Sequence, residues 1–410
     1  MTIQNILSDL DSNRDAREAL YKHFHRHPEL SLQEYGTAER VEQELRSCGI
    51  DEVLRIGRTG LVAIIRNGDG PVVAMRGDTD GLPMAERSGV DYAAEGVTQV
   101  DEATGKETPV AHTCGHDFHI VCLLGATQAL YDHRDDWSGT FVAVFQPGEE
   151  NAAGARAMVE AGIVDKIPKP DVYLGQHVLG SLPGGAVGIR SGPLFSAAAS
   201  IEITLHGKGS HGSMPNLGVD PIVLGAAIVG RLQTIVSREV APKETAVVTV
   251  GSFHAGTKSN IIPDSAVLQL NTRAFDKDVE KQLHEAIERI VRAECEAARS
   301  PKAPEFRYYD QYPLTENHEA PTARVRAAFD AYFGESSVDM SPVPASEDFS
   351  IIPDAFGCPY SYWGLGGFAD WENAPGNHSP FFAPDIQPTL DRGIEAIVVA
   401  ASPWLLGKGR

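Results

Sequence analysis

The sequence predicts an α/β fold of two domains, in which a smaller α+β module is inserted into a larger domain built on a mostly parallel sheet. In the first half of the chain, apolar strand-like runs alternate with helical segments, as they do in parallel sheets. From about Ala198, alternating strands and two long helices follow in the order βαββαβ, which is typical of a split-βαβ module. A chain of 410 residues, 42% of them hydrophobic, is long enough for two cores.

The larger domain is predicted from the alternation of its elements. In order, these are helices between Asn13 and Cys48, strands at Leu61–Ile65 and Val72–Met75, a helix at His119–Tyr131, a strand at Thr140–Phe145 and a helix at Ala152–Glu160. Asp78, Glu149 and His177 each follow an apolar run. We therefore expect them at the carboxyl ends of strands, where α/β sheets bind their ligands.

The inserted module is predicted from a change in pattern. Its elements are a strand at Ser200–His206, a helix at Pro221–Val236, strands at Ala246–Phe253 and Ala266–Arg273, a helix at Asp278–Ala298 and a strand at Glu305–Tyr309. This predicts residues 198–313 as the module, with residues 1–197 and 314–410 as the larger domain. The larger domain must resume after the module if His378 is to join the other candidate ligands.

Composition narrows the classes of partner. A net charge of -21 argues against nucleic acid and against an anionic membrane surface, because both favour basic patches. A small-molecule substrate is the better expectation. The five cysteines follow no disulfide pattern, and Met1–Asn13 has no apolar signal region, so we expect a soluble cytoplasmic protein.

The segment His112-Thr113-Cys114-Gly115-His116-Asp117 brings a thiol, two imidazoles and a carboxylate together. Thiolate and imidazole are ligands that zinc and its first-row neighbours favour, so the segment indicates a metal site. Elsewhere the chain supplies a Glu149-Glu150 pair, His177 and His378. These groups are sufficient for two ions.

Nine ordered motifs, spread over nearly the whole chain, make the sequence resemble the M20 metallopeptidases, and within them the branch of aminoacylases, hippurate hydrolases and auxin-conjugate hydrolases. The motifs are His27-Pro28-Glu29-Leu30, Arg76-Gly77-Asp78-Thr79-Asp80-Gly81-Leu82-Pro83, His112-Thr113-Cys114-Gly115-His116-Asp117, Gln146-Pro147-Gly148-Glu149-Glu150, Gly175-Gln176-His177, His211 with Pro215, Ser259-Asn260-Ile261-Ile262-Pro263, Ser346-Glu347-Asp348-Phe349 and Asn377-His378-Ser379-Pro380.

This resemblance implies a zinc-peptidase-like catalytic domain and an inserted ferredoxin-like domain that serves as lid and dimerisation surface. It implies two divalent ions per subunit, Zn²⁺ first, with Mn²⁺ or Co²⁺ as alternatives. The implied ligands are Cys114, His116, Glu150, His177 and His378. Glu149 would be the general base, and Asp80 would orient an imidazole, with Asp78 or Asp117 as alternatives for that role.

Two further site residues are implied in the inserted module. His211 would reach the active site of the partner subunit and stabilise the oxyanion, and Asn260 would contact the carboxylate end of the substrate. Both roles imply a homodimer, or a larger homo-oligomer, formed through this module.

The favoured function is therefore metal-dependent hydrolysis of N-acyl-L-amino acids, such as N-acylglutamine or hippurate-like substrates, to a carboxylic acid and a free amino acid. A dipeptidase or carboxypeptidase of the same family is the alternative. A thiol amidase with Cys114 as nucleophile is less favoured because it leaves Glu150, His177 and His378 unexplained. A metal-binding protein without activity is less favoured because Glu149 beside an open water site argues for catalysis.

Several histidines have a structural interpretation instead. His23, His25 and His27 follow one another at every second position, so on a helix only the first and third share a face. We expect these three at the surface or in a capping role. His112 and His119 are expected to serve structure or to face solvent.

Overall fold

The computed structural model describes residues 3–406, so the first two and last four residues of the predicted larger domain lie outside the described residues. The helices are α1 (Ile3–Ile6), α2 (Arg14–Arg26), α3 (Tyr35–Ser47), α4 (His116–Asp132), α5 (Gly154–Glu160), α6 (Ile163–Lys166), α7 (Pro221–Thr234), α8 (Lys277–Ala297), α9 (Glu319–Phe333), α10 (Ile351–Phe356) and α11 (Ile386–Leu405). None of the helices within residues 3–406 combines the length and apolar character needed to cross a bilayer.

The strands are β1 (Val53–Arg55), β2 (Leu61–Asn67), β3 (Val72–Asp78), β4 (Thr98–Asp101), β5 (Lys106–Pro109), β6 (Gly139–Gln146), β7 (Val172–Pro183), β8 (Val187–Ile189), β9 (Gly192–Phe195), β10 (Ala197–His206), β11 (Ser210–His211), β12 (Ala246–Ala255), β13 (Ile261–Ile262), β14 (Ser265–Ala274), β15 (Glu305–Tyr312), β16 (Thr315–Asn317), β17 (Ser337–Asp339) and β18 (Tyr360–Phe368).

The chain divides into two compact units. The second comprises Pro193–Thr315 and Pro342–Glu347, and the first comprises the rest of the described chain. The segment Pro342–Glu347, outside the predicted module, joins the second unit through backbone hydrogen bonds. Its Val343 amide donates to the Leu194 carbonyl at 2.8 Å, for example. Such pairing over a long sequence separation leaves no local signal in the sequence.

The first unit is built on an eight-stranded sheet in the order β1-β2-β6-β3-β7-β18-β8-β17. The four central strands β6, β3, β7 and β18 run parallel, whereas β1, β2 and β8 pair antiparallel with their inner neighbours. The predicted α/β fold with a mostly parallel central sheet is confirmed. Every residue of β6 is buried, as expected for a strand covered on both faces.

Helix α4 packs against α11 and the central sheet and is buried on nearly all sides. It begins at His116, three residues before the predicted start. Gly115 precedes it with φ +86°, and a β-carbon there would lie 2.2 Å from Cγ1 of Val178. A glycine is therefore required at this position, and the helix begins inside the candidate metal-binding segment.

The second unit contains a four-stranded antiparallel sheet in the order β12-β14-β10-β15, with α7 and α8 against it. The chain order βαββαβ is the predicted one. Alternate side chains of β10, including Ile201 and Ile203, pack in a core with Leu283 and Ile287 of α8. Asp276 caps α8 by accepting from two amides of its first turn.

Candidate metal centre

The candidate ligands of the first unit lie where the central strands end. Strand β3 ends at Asp78, and the turn after β6 carries Glu149 and Glu150. His177 lies inside β7, not after it as expected. However, the pairing of β7 with β3 stops at Gly175, so His177 lies past the last paired position of β3 and level with Asp78 at its end. These side chains therefore share one edge of the sheet.

Two groups of three ligand atoms converge at this edge. The first consists of Cys114, His116 and His177, whose ligand atoms lie within 4.8 Å of one another. The second consists of Cys114, Glu150 and His378, with the same limit. Cys114 belongs to both groups. All five predicted ligands are thus brought together in the folded chain, around a common sulfur atom.

Individual distances support this grouping. Sγ of Cys114 lies 3.5 Å from Nε2 of His177. Nε2 of His378 lies 3.3 Å from Oε2 of Glu150. His378 is held in place by its backbone, because its amide donates to the Thr113 carbonyl at 2.9 Å. The loop that carries His378 is thereby anchored to the segment that carries Cys114.

Two buried atoms test whether these residues suit metal ions. Nε2 of His116 and Oε1 of Glu150 lie 3.8 Å apart, and neither makes a hydrogen bond with the described residues, although Nε2 of His116 lies 3.5 Å from Oδ2 of Asp78. A buried polar atom without a hydrogen bond costs free energy, so these two atoms indicate a bound partner that is not an amino acid. An imidazole nitrogen and a carboxylate oxygen are both ligands of divalent zinc, manganese and cobalt. The donor set therefore fits the ions.

Second contacts of the imidazoles fix their orientation. Nδ1 of His116 lies 2.9 Å from the backbone carbonyl oxygen of Asp80 and 3.2 Å from the side-chain Oδ1 of the same residue. Nδ1 of His177 lies 2.8 Å from the carbonyl oxygen of Val178. With these acceptors on Nδ1, each Nε2 is directed into the cluster, as in metal-binding histidines. Of the three carboxylates considered in the sequence, Asp80 is the one that makes this contact.

Asp78 and Asp117 have other partners. Asp78 pairs with the buried Arg76 guanidinium and with Nδ1 of His119. Burial alone would raise the pKa of Asp78, but the charges of Arg76 and the histidines outweigh it and hold that pKa well below its usual range. His119 also accepts the Val178 amide at 2.9 Å, so both its ring nitrogens are occupied in a structural role, as expected.

The pKa values of two candidate ligands are shifted in opposite directions. Burial, reinforced by the nearby His119, lowers the pKa of His177 well below its ordinary value, which favours the neutral imidazole that binds metal. Burial also lowers the pKa of His378, but Cys114 and Glu150 outweigh it and raise that pKa to about 11. A divalent ion would have to displace this proton before His378 could bind.

Glu149 lies beside the two groups. Its side chain is buried, and its carboxylate belongs to a third cluster in which one atom each from His116, Glu149 and Glu150 lie within 4.8 Å of one another. Its backbone carbonyl accepts the Ala152 amide at 2.9 Å. Adjacent positions of one tight turn thus present two carboxylates to the same cluster.

His211 lies in β11 of the second unit, which pairs with β13 as a two-stranded ribbon, and Asn260 directly precedes β13. Both side chains are exposed. Nδ1 of His211 is 2.7 Å from Oγ of Ser213, and the Gly212 amide donates to the Asn260 carbonyl at 2.8 Å. The fold therefore places these two predicted residues next to each other.

The surface prediction for His25 was wrong. Its ring is buried, with Nδ1 2.6 Å from Oδ2 of Asp117 and Nε2 3.0 Å from Oε1 of Glu86. Tyr21 and Phe24 of the same helix are buried beside it. His25 lies four residues after Tyr21, so helical spacing places it on the apolar face, a signal that the alternation of the three histidines obscures.

Comparison with known proteins places this arrangement in a class. A family model described as peptidase family M20/M25/M40 matches residues 74–401. The chain is 34% identical over 386 residues to an N-acetyl-L-cysteine deacetylase of Bacillus subtilis, covering 94% of this chain and 85% of the relative. It is 38% identical over 299 residues to an N-acyl-L-amino acid amidohydrolase of Geobacillus stearothermophilus, covering 72% and 77%.

Among solved structures, the chain is similar to a dinuclear metal-binding peptidase of the M20 family from Bacillus subtilis. That match has a TM-score of 0.77 and 28% identity and covers 95% of this chain and 98% of that one. The family match, together with relatives named as a deacetylase and an amidohydrolase, identifies the chain as a hydrolase. The chain belongs to the M20 peptidase family. The family match, the similar dinuclear metal-binding structure and the converging donor atoms support a site for two divalent metal ions.

Proposed function

We propose that the protein is a metal-dependent amidohydrolase that cleaves N-acyl-L-amino acids, such as N-acylglutamine or hippurate-like substrates. The observation that carries the proposal is the position of Cys114 in two three-residue donor groups, with the buried Glu149 carboxylate beside them. The proposed ligands are Cys114, His116, Glu150, His177 and His378. The two relatives named for N-acyl amino acid substrates support this substrate class.

When bound, two divalent ions polarise the amide carbonyl and lower the pKa of a water molecule. Glu149 accepts a proton from that water as its oxygen bonds to the amide carbon. The C–N bond then breaks, and Glu149 returns the proton to the departing nitrogen. The products are a carboxylic acid and a free amino acid. Asp80 acts indirectly by fixing the ring of His116.

The proposal includes a homodimer formed through the second unit, in which His211 stabilises the oxyanion of the partner and Asn260 contacts the carboxylate of the substrate. Exposed apolar side chains on this unit support an interface. They include Val223 of α7, which is 66% exposed, and Val247 of β12, which is 41% exposed. Because β12 is an edge strand of its sheet, it offers backbone groups to a second copy.

Zn²⁺ is the ion we propose first, because thiolate and imidazole dominate the donor set, while Mn²⁺ and Co²⁺ accept similar ligands. We also propose a cytoplasmic location. All five cysteines are free thiols, which suits a reducing compartment.

The proposal is tested by hydrolysis of a panel containing N-acetylcysteine, N-acylglutamine, hippurate and an unblocked dipeptide. The enzyme is assayed as isolated, after chelation and after repletion with Zn²⁺ or Mn²⁺. Glu149→Gln is assayed with its metal content measured. We expect hydrolysis of the acylated substrates, loss on chelation, recovery with metal, and a metal-loaded but inactive Glu149→Gln.

Other outcomes would favour a different function for the protein. Preference for the unblocked dipeptide would favour a dipeptidase or carboxypeptidase. Activity that survives chelation but is lost on alkylation would make Cys114 a nucleophile. A metal-loaded protein without activity on any member of the panel would contradict the enzymatic proposal.

A further inference from the structure

The turn that carries Glu149 lies between two buried carboxylates. On one side of Glu149, the Gly148 amide donates to Oε1 of Glu34 at 2.8 Å. On the other side, the Glu150 amide donates to Oδ2 of Asp80 at 3.0 Å. Both carboxylates are buried. The backbone amides of the two residues on either side of Glu149 are therefore each held by an acidic side chain from a distant part of the sequence.

Glu34 is itself fixed by further hydrogen bonds. The same Oε1 atom accepts the Leu32 amide at 2.8 Å, and Oε2 accepts the Thr59 hydroxyl at 2.6 Å. A buried carboxyl group is costly unless it is hydrogen-bonded, so these donors stabilise the side chain in one position. Glu34 is thus a rigid acceptor for the Gly148 amide.

Steric contact reinforces the hydrogen bond. Gly148 has φ +56°, and a β-carbon there would lie 2.9 Å from Cδ2 of Leu32. Ser31 of the same segment donates to Oδ2 of Asp80 at 2.6 Å. Residues 31–34 therefore contact the turn that carries Glu149 in two ways. Leu32 packs against Gly148, and Ser31 binds Asp80, which accepts the Glu150 amide.

We propose that Glu34 is a positioning residue for Glu149, and that it acts through the amide of Gly148. The inference rests on the proposed function, in which Glu149 is the general base. A carboxylate that accepts from a backbone amide makes one of the stronger hydrogen bonds in proteins. A displacement of about 1 Å at a reacting group can cost about 100-fold in rate.

Three variants separate positioning from general stability. Glu34→Ala removes the acceptor for Gly148. Glu34→Gln keeps a carbonyl oxygen that can accept both amides. Burial, reinforced by Asp80, raises the pKa of Glu34 to about 7, and Oε1 remains an acceptor with or without the proton. Thr59→Val is the matched control, because it removes a hydrogen bond to the other carboxylate oxygen and leaves the Gly148 contact in place.

Each variant is examined in the full metal-loaded protein for kcat and KM on N-acetylcysteine, for bound metal, and for hydrogen exchange in the peptide covering residues 146–151. We expect Glu34→Ala to lower kcat by about 10- to 100-fold, with KM and metal content unchanged. Exchange at the Gly148 amide should become faster. Glu34→Gln should restore most of kcat and protection, and Thr59→Val should affect the melting temperature more than kcat.

Unchanged exchange at Gly148 in Glu34→Ala would overturn the positioning role, whatever the activity. An unchanged kcat, or a fall in kcat that follows loss of metal, would also overturn it. Failure of the proposed function is recognised separately. If Glu149→Gln were as active as the unmodified protein, Glu149 would not be the base, and the proposal for Glu34 would fall with that assignment.

Discussion

Nδ1 of His25 lies 2.6 Å from Oδ2 of Asp117, the residue that follows the candidate ligand His116 in the sequence. Nε2 of the same ring lies 3.0 Å from Glu86. One buried imidazole thereby joins α2, the loop that carries Glu86, and the first turn of α4. Asp117 in turn accepts the amide of Phe118 at 3.0 Å. Helix α4 is thus tied to α2 at the point where the candidate metal ligands begin.

This pair predicts how stability depends on pH. Burial lowers the pKa of His25, but hydrogen bonds to Asp117 and Glu86 outweigh it and raise the pKa to about 9, above the ordinary value of 6.5. The folded state therefore binds the proton more tightly than the unfolded state. The stabilisation, on the order of 3 kcal/mol, is complete below pH 6.5 and disappears as the pH rises through 9.

The test is urea denaturation of the unmodified protein and His25→Gln between pH 6 and pH 9.5. The difference in unfolding free energy should be large at pH 6 and small at pH 9.5. The four tryptophans, Trp137, Trp363, Trp371 and Trp404, all lie in the first unit and report its unfolding. His133→Gln is the control, because its partner Asp9 is largely exposed. A difference independent of pH would contradict the prediction.

Because Cys114 belongs to both donor groups, substitutions of the proposed ligands are predicted to remove different numbers of metal ions. Cys114→Ala should lose both ions, because Cys114 belongs to both donor groups, whereas His177→Ala and His378→Ala should each retain about one ion. Metal content is measured by elemental analysis after dialysis. Cys122→Ala serves as control, since its buried thiol donates to the Leu390 carbonyl. Retention of one ion in Cys114→Ala would show that the sulfur serves a single ion.

Asp80 and Asp117 are predicted to differ although both lie close to His116. Asp80→Asn should weaken metal binding by about 10- to 100-fold, because it disturbs the acceptor that orients the ring. Asp117→Asn should reduce stability with little effect on metal affinity, because its partner is His25. Competition with a chromophoric chelator measures both affinities. Equal losses in the two variants would contradict the assignment of Asp80.

The dimer proposal predicts complementation between inactive subunits. His211→Ala and Glu149→Gln should each be inactive alone, but a mixed dimer would contain one complete site. After random exchange of subunits, about one quarter of the sites should be active. The measurement is hydrolysis by co-expressed variants. No recovery, with mixed dimers demonstrated by differential tagging, would place both residues in the same subunit's site.

The features with a local signal were predicted best from the sequence. Cys114 and His116 are separated by one residue, and the alternation in Ile201 and Ile203 marks a strand by itself. Two parallel strands of the first unit, β3 and β6, were predicted from apolar runs, because strands buried on both faces lack polar positions.

Pairings across long separations were not predictable. The Ser31 hydroxyl donates to Asp80, and the Gly148 amide donates to Glu34, although the partners are far apart in the sequence. Nothing in either stretch indicates its partner, because side-chain hydrogen bonds carry no periodicity. Only the placement of the chain in three dimensions distinguishes Asp80 from Asp78 and Asp117.

The single sulfur in both donor groups has a consequence for how such a site changes over evolution. If Cys114 binds both ions, the charge and polarisability of its sulfur influence the metal preference of both binding positions at once. A substitution there cannot adjust one metal preference without altering the other. Adaptation to a different supply of metals would therefore act first on the unshared donors, His177 on one side and Glu150 or His378 on the other.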